Sequence, residues 1–257
     1  MKEDQVERIL SVLYLCSAIF SVTSLICLAT AWQYWAWTLD VCISIDCGCI
    51  LYGINTFSTF MGGDVKLCHF GVYGLIPSIV AGLCLGGYHG YRCCINRNLA
   101  EPINLSSGEA TTAATVGVRR KRRTPYKQWI PATFLTVLLC CLSLAHAVVT
   151  TDGYYKTCEQ YRKRLIQVLG SVVHDRLSCG AIFDFMDYLQ ADIGAWRGST
   201  EIDTGFALRL AIVSTWFNFG SWTFAFLLNI FMARKRFCSA RLACAFQVPI
   251  GVVCQWR

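Results

Sequence analysis

Four stretches of the chain contain no Asp, Glu, Lys or Arg and consist mostly of apolar residues. They run from Ile9 to Leu39, from Leu67 to Tyr91, from Gln128 to Thr151 and from Leu210 to Ala233. Even the shortest, with about 24 residues, would extend about 36 Å as an α-helix, and the hydrocarbon core of a bilayer is about 30 Å thick. A charge at the bilayer centre costs at least about 2.5 kcal/mol, so such stretches are typical of membrane spans. The pattern predicts an all-α membrane protein, built as a four-helix transmembrane bundle with a disulfide-stabilised extracellular or lumenal region.

The charge-free stretches divide the chain into nine predicted segments. They are a head (1–8), a first span (9–31), a first outer loop (32–66), a second span (67–91), a basic inner loop (92–127), a third span (128–150), a second outer loop (151–205), a fourth span (206–233) and a tail (234–257). Pro77 lies one turn inside the second span, where we expect it to kink the helix.

The basic residues give the segments an orientation. The inner loop has eight Lys or Arg and two acids, the tail has five Lys or Arg and no acid, and the first outer loop has Lys66 as its only base. Because basic flanks stay in the cytoplasm, we expect both termini and the inner loop to be cytoplasmic. The net charge of +7 mostly reflects this asymmetry, and it indicates contact with anionic lipid headgroups rather than with nucleic acid.

The first stretch has an alternative interpretation as a cleaved signal peptide, because Ala29-Thr30-Ala31 resembles a cleavage site. Its apolar run is longer than a normal signal core, and the head mixes charges of both signs, so we expect an uncleaved span. Four aromatic residues at its end predict a belt at the outer membrane interface. They are Trp32, Tyr34, Trp35 and Trp37.

The chain contains 16 cysteines, and six of them fall on the predicted outer side. An even number of cysteines in an oxidising compartment predicts disulfides, and six allow 15 pairings between which the sequence does not choose. The alternative is a zinc site from Cys47-Gly48-Cys49 with Cys68-His69, although that spacing fits no standard zinc motif. The six disulfide candidates are Cys42, Cys47, Cys49, Cys68, Cys158 and Cys179.

The cytoplasmic side carries two kinds of candidate lipid contact. Cysteines beside the spans are candidates for palmitoylation, with unmodified thiols as the alternative; they are Cys93, Cys94, Cys238 and Cys244. A basic run before the third span predicts contact with anionic lipids, at about 1 kcal/mol per residue. This run is Arg119-Arg120-Lys121-Arg122-Arg123.

The second span repeats a small residue at every fourth position. Gly74, Ser78, Gly82, Gly86 and Gly90 therefore share one face of a helix, and such a face lets two helix backbones approach closely. We expect this face to pack against another span of the same chain, with a dimer contact as the alternative.

Polar residues within the spans are expected to hold helices together. Asn218 lies near the middle of the fourth span, where an interhelical hydrogen bond is worth about 0.6–2 kcal/mol. The alternative role for Asn218 is to line a permeation path. His89 and His146 lie near span ends, and we interpret both as packing residues.

The outer loops contain short regions with their own structure. Apolar residues spaced by three and four predict an amphipathic helix from about Thr157 to Leu177, and Phe183, Met186 and Leu189 predict a second, short helix. Cys49-Ile50-Leu51-Tyr52 has the composition of a strand. We expect these helices to cover the first outer loop, with disulfides clamping the two loops together.

Several of these motifs resemble the transmembrane protein 179 family, especially its B-type branch. The resemblance lies in Cys49-Ile50-Leu51-Tyr52-Gly53, in Leu67-Cys68-His69-Phe70, in the pair Cys158 and Cys179, and in Ser214-Thr215-Trp216. It covers most of the chain with sparse identities, and Cys42, Cys47 and the long basic inner loop depart from the pattern. The resemblance implies a four-span fold and this topology, but no mechanism.

The function that we expect is non-enzymatic. We expect a tetraspan accessory or scaffold subunit of the plasma membrane or of endosomal or secretory membranes. It would bind a membrane partner, or a second copy, through disulfide-clamped outer loops. The alternative is an oligomeric channel or transporter subunit, although no span carries a central acid or base and no inverted repeat is visible. The sequence has no nucleotide-binding loop, nucleophile elbow or His-rich metal cluster, so we expect no enzyme activity, cofactor, metal site or small-molecule substrate.

Overall fold

The computed structural model of the chain describes residues 3–40, 42, 46–56, 59–98, 129–169, 178–184 and 203–246. These residues fold mostly as helices, with one small antiparallel sheet. The elements in chain order are α1 (Glu3–Leu39), β1 (Cys49–Asn55), β2 (Phe60–Gly63), α2 (Val65–Tyr73), α3 (Ile76–Asn98), α4 (Trp129–Leu169), α5 (Cys179–Asp184) and α6 (Thr204–Phe246).

Four helical segments are long and apolar enough to cross a membrane, which confirms the prediction of four such helices. They are Gln5–Leu39, Val65–Cys94, Ile130–Gln167 and Thr204–Lys235. The longest has 38 residues, about 57 Å of helix, against a hydrocarbon core of about 30 Å. The helices are therefore longer than the spans drawn from the charge pattern, and their ends extend beyond the apolar stretches.

The helix predicted for the second outer loop is not a separate element. Residues 157–169 are the end of α4, which runs unbroken from Trp129. The proline of α4, Pro131, lies in its first turn, where a missing amide hydrogen is tolerated, so no proline interrupts the helix at the charge boundary beside Asp152. Of the three residues that predicted a second, short helix, Phe183 lies in α5 and is fully buried. Residues 170–177, Met186 and Leu189 lie outside the described part of the chain.

The helices pack in a definite order. Helix α1 lies between α3 and α6, and α4 packs against α6, whereas α3 and α4 have few contacts with each other. The sheet, α2, α5 and the three disulfides lie together at one end of the helices, which we call the hairpin end. The hairpin β1–β2 lies on α4 and the last turns of α1.

The small sheet is the main departure from the all-α prediction, and the pairing of its two strands is irregular. Cys49 pairs with Gly63, and Ile54 pairs with Met61, with an irregularity in the register between them. Tyr52 lies in this irregular part and has a φ of 59°, a left-handed conformation that is rare for a residue other than glycine. The strand-like composition of Cys49-Ile50-Leu51-Tyr52 does correspond to a strand, β1.

The six candidate cysteines form three disulfides, and none of them joins the first outer loop to the second; Cys49–Cys68 joins the first loop to the start of the predicted second span. The pairs are Cys42–Cys47, Cys49–Cys68 and Cys158–Cys179. The expectation that disulfides clamp the two outer loops together is therefore wrong. Packing and hydrogen bonds join the loops instead, because the hairpin lies directly on the end of α4. The zinc alternative is also wrong, because Cys47, Cys49 and Cys68 are all disulfide-bonded.

Candidate functional site

The hairpin end is built around one buried apolar cluster that draws on most elements of the fold. The disulfide Cys49–Cys68 joins β1 to α2, and Cys158–Cys179 joins α4 to α5. The rings of Phe60 on β2 and Tyr161 on α4 meet edge to face, with centroids 5.2 Å apart. Members from seven elements are buried; they include Leu28, Trp35, Leu51, Phe60, Cys68, Tyr154, Phe183 and Leu208. The hairpin end is therefore a packed unit rather than two independent loops.

Thr157 of α4 fixes the irregular part of β1. Its hydroxyl donates to the Ile50 carbonyl at 3.0 Å and accepts from the Gly53 amide at 2.9 Å. Gly153 lies one turn earlier, and a Cβ there would be 2.8 Å from the Tyr52 ring. The absence of a side chain at Gly153 therefore lets β1 lie against α4, and Thr157 satisfies backbone groups that the irregular register leaves unpaired.

We expect Thr157→Val to destabilise the protein by about 1–3 kcal/mol, because a buried backbone amide loses its acceptor. Thermal unfolding in detergent measures the effect. Thr150→Val is the matched control on the same helix, since the Thr150 hydroxyl is buried and has no hydrogen-bond partner. Equal melting temperatures for the two variants would show that Thr157 does not hold the hairpin.

A small polar group lies on the surface where β1 meets α4. The Lys156 ammonium is 2.9 Å from the Asp152 carboxylate and lies 5.1 Å from the centroid of the Tyr52 ring. Burial, together with the Asp152 carboxylate that accepts its hydrogen bond, raises the pKa of Tyr52 to about 12. The Tyr52 phenol donates this hydrogen bond to the Asp152 carboxylate.

The aromatic residues at the end of α1 do not form a uniform belt. The Trp35 indole is buried and donates to Thr204 at 3.1 Å, and the Trp32 indole donates to the Gly48 carbonyl at 3.0 Å. Tyr34 packs edge to face on Trp35. Of these four residues, only Trp37 has the exposed side chain that an interfacial belt predicts, and it is 92% exposed. The other three hold the start of α6 and the first outer loop against α1.

The small-residue face of α3 packs against α1 within the same chain. A Cβ at Gly82 would lie 2.8 Å from the Tyr14 carbonyl, and one at Gly86 would lie 2.9 Å from Leu15. A Cβ at Gly90 would lie 3.2 Å from the Ser11 hydroxyl. Gly74 is the exception, because it ends α2 and its nearest neighbour is Phe70 of the same helix. From Ser78 to Gly90 this face is therefore in contact with α1 of the same chain, as expected.

Ser78 and Asn218 lie at the centre of a buried polar network among α1, α3 and α6. The Asn218 side-chain oxygen accepts from Ser17 at 2.7 Å and from Ser78 at 3.3 Å. The Ser78 hydroxyl accepts from Ser21 at 3.1 Å and from the Trp222 indole at 2.8 Å. Asn218 is 1% exposed, so its oxygen faces neighbouring helices and not lipid. These hydrogen bonds fix the relative position of the three helices.

We expect Asn218→Leu to lower the free energy of unfolding by about 1–2 kcal/mol, because two buried hydroxyls lose their acceptor. Unfolding in mixed micelles measures the change. Ser221→Ala is the control on the same helix, since the Ser221 hydroxyl donates to the Phe217 carbonyl of its own helix. A loss for Ser221→Ala as large as that for Asn218→Leu would contradict the role of the network.

The network extends along α1 in a pattern that the sequence interpretation missed. Ser11 donates to the Gly86 carbonyl at 2.9 Å, and Asn229 donates to the Tyr14 hydroxyl at 2.7 Å. The Glu7 carboxylate is 3.3 Å from the Arg92 guanidinium at the end opposite the hairpin, and Glu7 is nearly fully buried. The available signal was the spacing of polar residues by three or four along an otherwise apolar span. They are Glu7, Ser11, Tyr14, Ser17, Ser21 and Ser24.

The candidate lipid-contact residues lie mostly outside the described part of the chain. Cys93 is half-buried and Cys94 is exposed at the end of α3, and neither forms a disulfide. Nothing is described of the side chains of Cys238 and Cys244, or of the basic run 119–123. Within the described residues, no group of three or more His, Cys, Asp or Glu is placed to hold a metal ion.

No family model, no curated protein and no solved structure matches the chain.

Proposed function

We propose that the chain is a multi-pass membrane protein whose hairpin end faces the extracellular space or a lumen. Both termini and the basic inner loop would then lie in the cytoplasm, in the plasma membrane or in endosomal or secretory membranes. The excess of Lys and Arg in segments 92–127 and 234–257 supports this orientation. Three disulfides at the hairpin end support it independently, because disulfides persist in oxidising compartments.

We propose further that the protein is a non-enzymatic accessory or scaffold subunit, which binds another membrane protein through the hairpin end. The exposure of Trp37 carries this proposal. Trp37 lies 28 residues after Ile9 on one continuous helix, about 42 Å along the axis, whereas the hydrocarbon core is about 30 Å thick. Its indole would lie beyond the acyl chains, on a rigid helix end, and exposed tryptophans in such positions are frequent anchors of protein interfaces.

The packing behind Trp37 makes it a suitable anchor. Trp35 and Leu39 on the opposite face of α1 are buried in the hairpin end, so the helix end is fixed and Trp37 is presented with little loss of backbone entropy on binding. Tyr155 on α4 is 60% exposed and is a second aromatic contact at the same end. The partner would be a membrane protein that offers an apolar pocket just outside the bilayer.

Two further assignments are proposals about the cytoplasmic side. The exposed Cys94 thiol at the end of α3 supports its assignment as a palmitoylation site. The run 119–123 would bind anionic headgroups of the cytoplasmic leaflet. The likeness of the first-loop and cysteine motifs to the transmembrane protein 179 family supports the topology, and we propose membership of that family on those motifs.

The experiment is mild-detergent purification of the tagged chain, followed by mass measurement of the intact complex. We expect a stoichiometric second protein with the native chain. Trp37→Ser should lose it, and Tyr91→Ser should keep it, because Tyr91 is an exposed aromatic residue at the other end of the helices.

The other outcomes oppose the proposal. If the second protein stays bound to Trp37→Ser, its contact with the chain does not depend on Trp37. A homogeneous homo-oligomer without a second protein would contradict the accessory role and favour the oligomeric channel.

A further inference from the structure

The second apolar segment is not one helix but two helices with a short joint between them. Helix α2 ends at Tyr73, and α3 begins at Ile76. The Gly74 amide donates to the Phe70 carbonyl at 2.9 Å, and the Ile79 amide donates to the Leu75 carbonyl at 3.0 Å. The break therefore falls just before Pro77, whose missing amide hydrogen denies the Tyr73 carbonyl its usual helical donor. We call residues Gly74–Leu75 the joint.

The helix before the joint is attached to the hairpin end. The disulfide Cys49–Cys68 bonds α2 covalently to β1. A Cβ at Gly71 would lie 2.6 Å from the Leu28 side chain and 3.9 Å from Leu51, so α2 packs closely on both α1 and β1. Any displacement of β1 must therefore move α2.

The helix after the joint also packs on α1, but its polar contacts are made with α1 and α6 and not with the hairpin. Ser78, in the first turn of α3, belongs to the polar network with Ser21, Asn218 and Trp222. Further along, Gly82 lies directly against α1. Helix α3 has few contacts with α4. Both halves of the second apolar segment pack on α1, but only α2 is bonded to the hairpin and only α3 takes part in the polar network, and the joint connects the two.

The His146 side chain reaches from α4 to the carbonyl side of the joint. His146 Nε2 is 2.6 Å from the Gly71 carbonyl oxygen. Because a carbonyl only accepts, Nε2 carries the hydrogen. The other ring nitrogen, Nδ1, is buried and has no hydrogen-bond partner. In an unbroken helix the Gly71 carbonyl would pair with the Leu75 amide, so His146 bonds to a carbonyl of the turn that the joint interrupts.

We propose that the joint is a hinge between the hairpin end and α3, and that the His146–Gly71 hydrogen bond is a latch that holds it in the observed arrangement. A hinge absorbs a change of backbone angles at a few residues while the packed units on either side stay rigid. A partner that displaces the hairpin end would thereby move α2 relative to α3. This use of the hinge rests on the proposed function, whereas the hinge itself is a property of the chain alone.

Amide hydrogen exchange of the full chain in lipid nanodiscs, without a partner, tests the hinge. We expect His146→Phe, which keeps a ring beside Phe70 but lacks the donor, to raise exchange of amides 70–76 about five- to tenfold, the effect of losing one hydrogen bond. Exchange in α1 and α6 should not change. His146→Gln, which retains a donor, should behave more like the native chain.

Pro77→Ala is expected to change the exchange rate of amides 70–76 in the opposite direction. An alanine amide can donate to the Tyr73 carbonyl, so exchange of amides 70–76 should fall below the native level. Unchanged exchange in His146→Phe would overturn the latch. A uniform rise across all helices would also overturn it, because His146 would then be a packing residue of the whole fold. Since no partner is present, failure to find a partner for the hairpin end leaves this result unaffected.

Discussion

Gly63→Ala is expected to destabilise the hairpin end by about 3 kcal/mol, at the upper end of overpacking costs. A Cβ at Gly63 would lie 2.0 Å from the Leu51 carbonyl oxygen. The neighbour is backbone and not the end of a flexible side chain, so β1 itself must move. Leu51 lies between Cys49 and the irregular residue Tyr52, and its movement would disturb the contacts of β1 with both α2 and α4.

Thermal unfolding of the purified chain in detergent measures this effect. Gly220→Ala is the matched control, because no atom lies within 4 Å of a Cβ at Gly220. We expect a large drop in melting temperature for Gly63→Ala and almost none for Gly220→Ala. If both variants have the same melting temperature as the native chain, β1 and β2 do not approach closely at Gly63.

Gly82→Leu is expected to separate α1 from α3, with a loss of about 3 kcal/mol or more. A Cβ at Gly82 already lies 2.8 Å from the Tyr14 carbonyl, and the rest of a leucine side chain would have no space between the helices. The Ser78–Ser21 hydrogen bond lies one turn away and should break as the helices part. Unfolding by a denaturing detergent, followed by circular dichroism, measures the loss.

The control for this substitution is Gly87→Leu on the same helix. Gly87 is exposed, and no atom lies within 4 Å of a Cβ there, so a leucine would face lipid. Equal stability of Gly82→Leu and Gly87→Leu would mean that the small-residue face is not the contact with α1. A dimer that dissociates only in Gly82→Leu would instead support the alternative contact between copies.

The sequence predicted the four apolar helices because charge is costly in a bilayer and its absence over long stretches is easy to detect. It also predicted correctly that Ser78, Gly82, Gly86 and Gly90 share one helix face that packs against another helix of the chain. Gly74 was assigned to the wrong contact, because Pro77 was expected only to kink the helix, whereas α2 ends at Tyr73 and Gly74 therefore lies outside α3. The ends of the helices were also misjudged, because α4 continues past the charged residues that were expected to end it.

The arrangement of the hairpin end could not be derived from the sequence. Six cysteines leave the pairing open, and Cys49 meets Cys68 because α2 packs against β1 in the folded chain. The role of Thr157 depends on an irregular strand that pairs two backbone groups with a side chain of a distant helix. The buried Glu7–Arg92 pair was missed for a similar reason, because both residues lie at the edges of apolar stretches and were interpreted as charges outside the membrane.

The central claim is that the hairpin end and the Glu7 end lie on opposite sides of a membrane. The measurement is labelling by a membrane-impermeant maleimide in sealed microsomes whose cytoplasmic face points outward, read at each site by mass spectrometry. It compares Arg8→Cys with Lys163→Cys, since both side chains are exposed and lie at opposite ends. We expect Arg8→Cys to be labelled at once and Lys163→Cys to be labelled only after detergent opens the vesicles. Labelling of Lys163→Cys in sealed vesicles would contradict it.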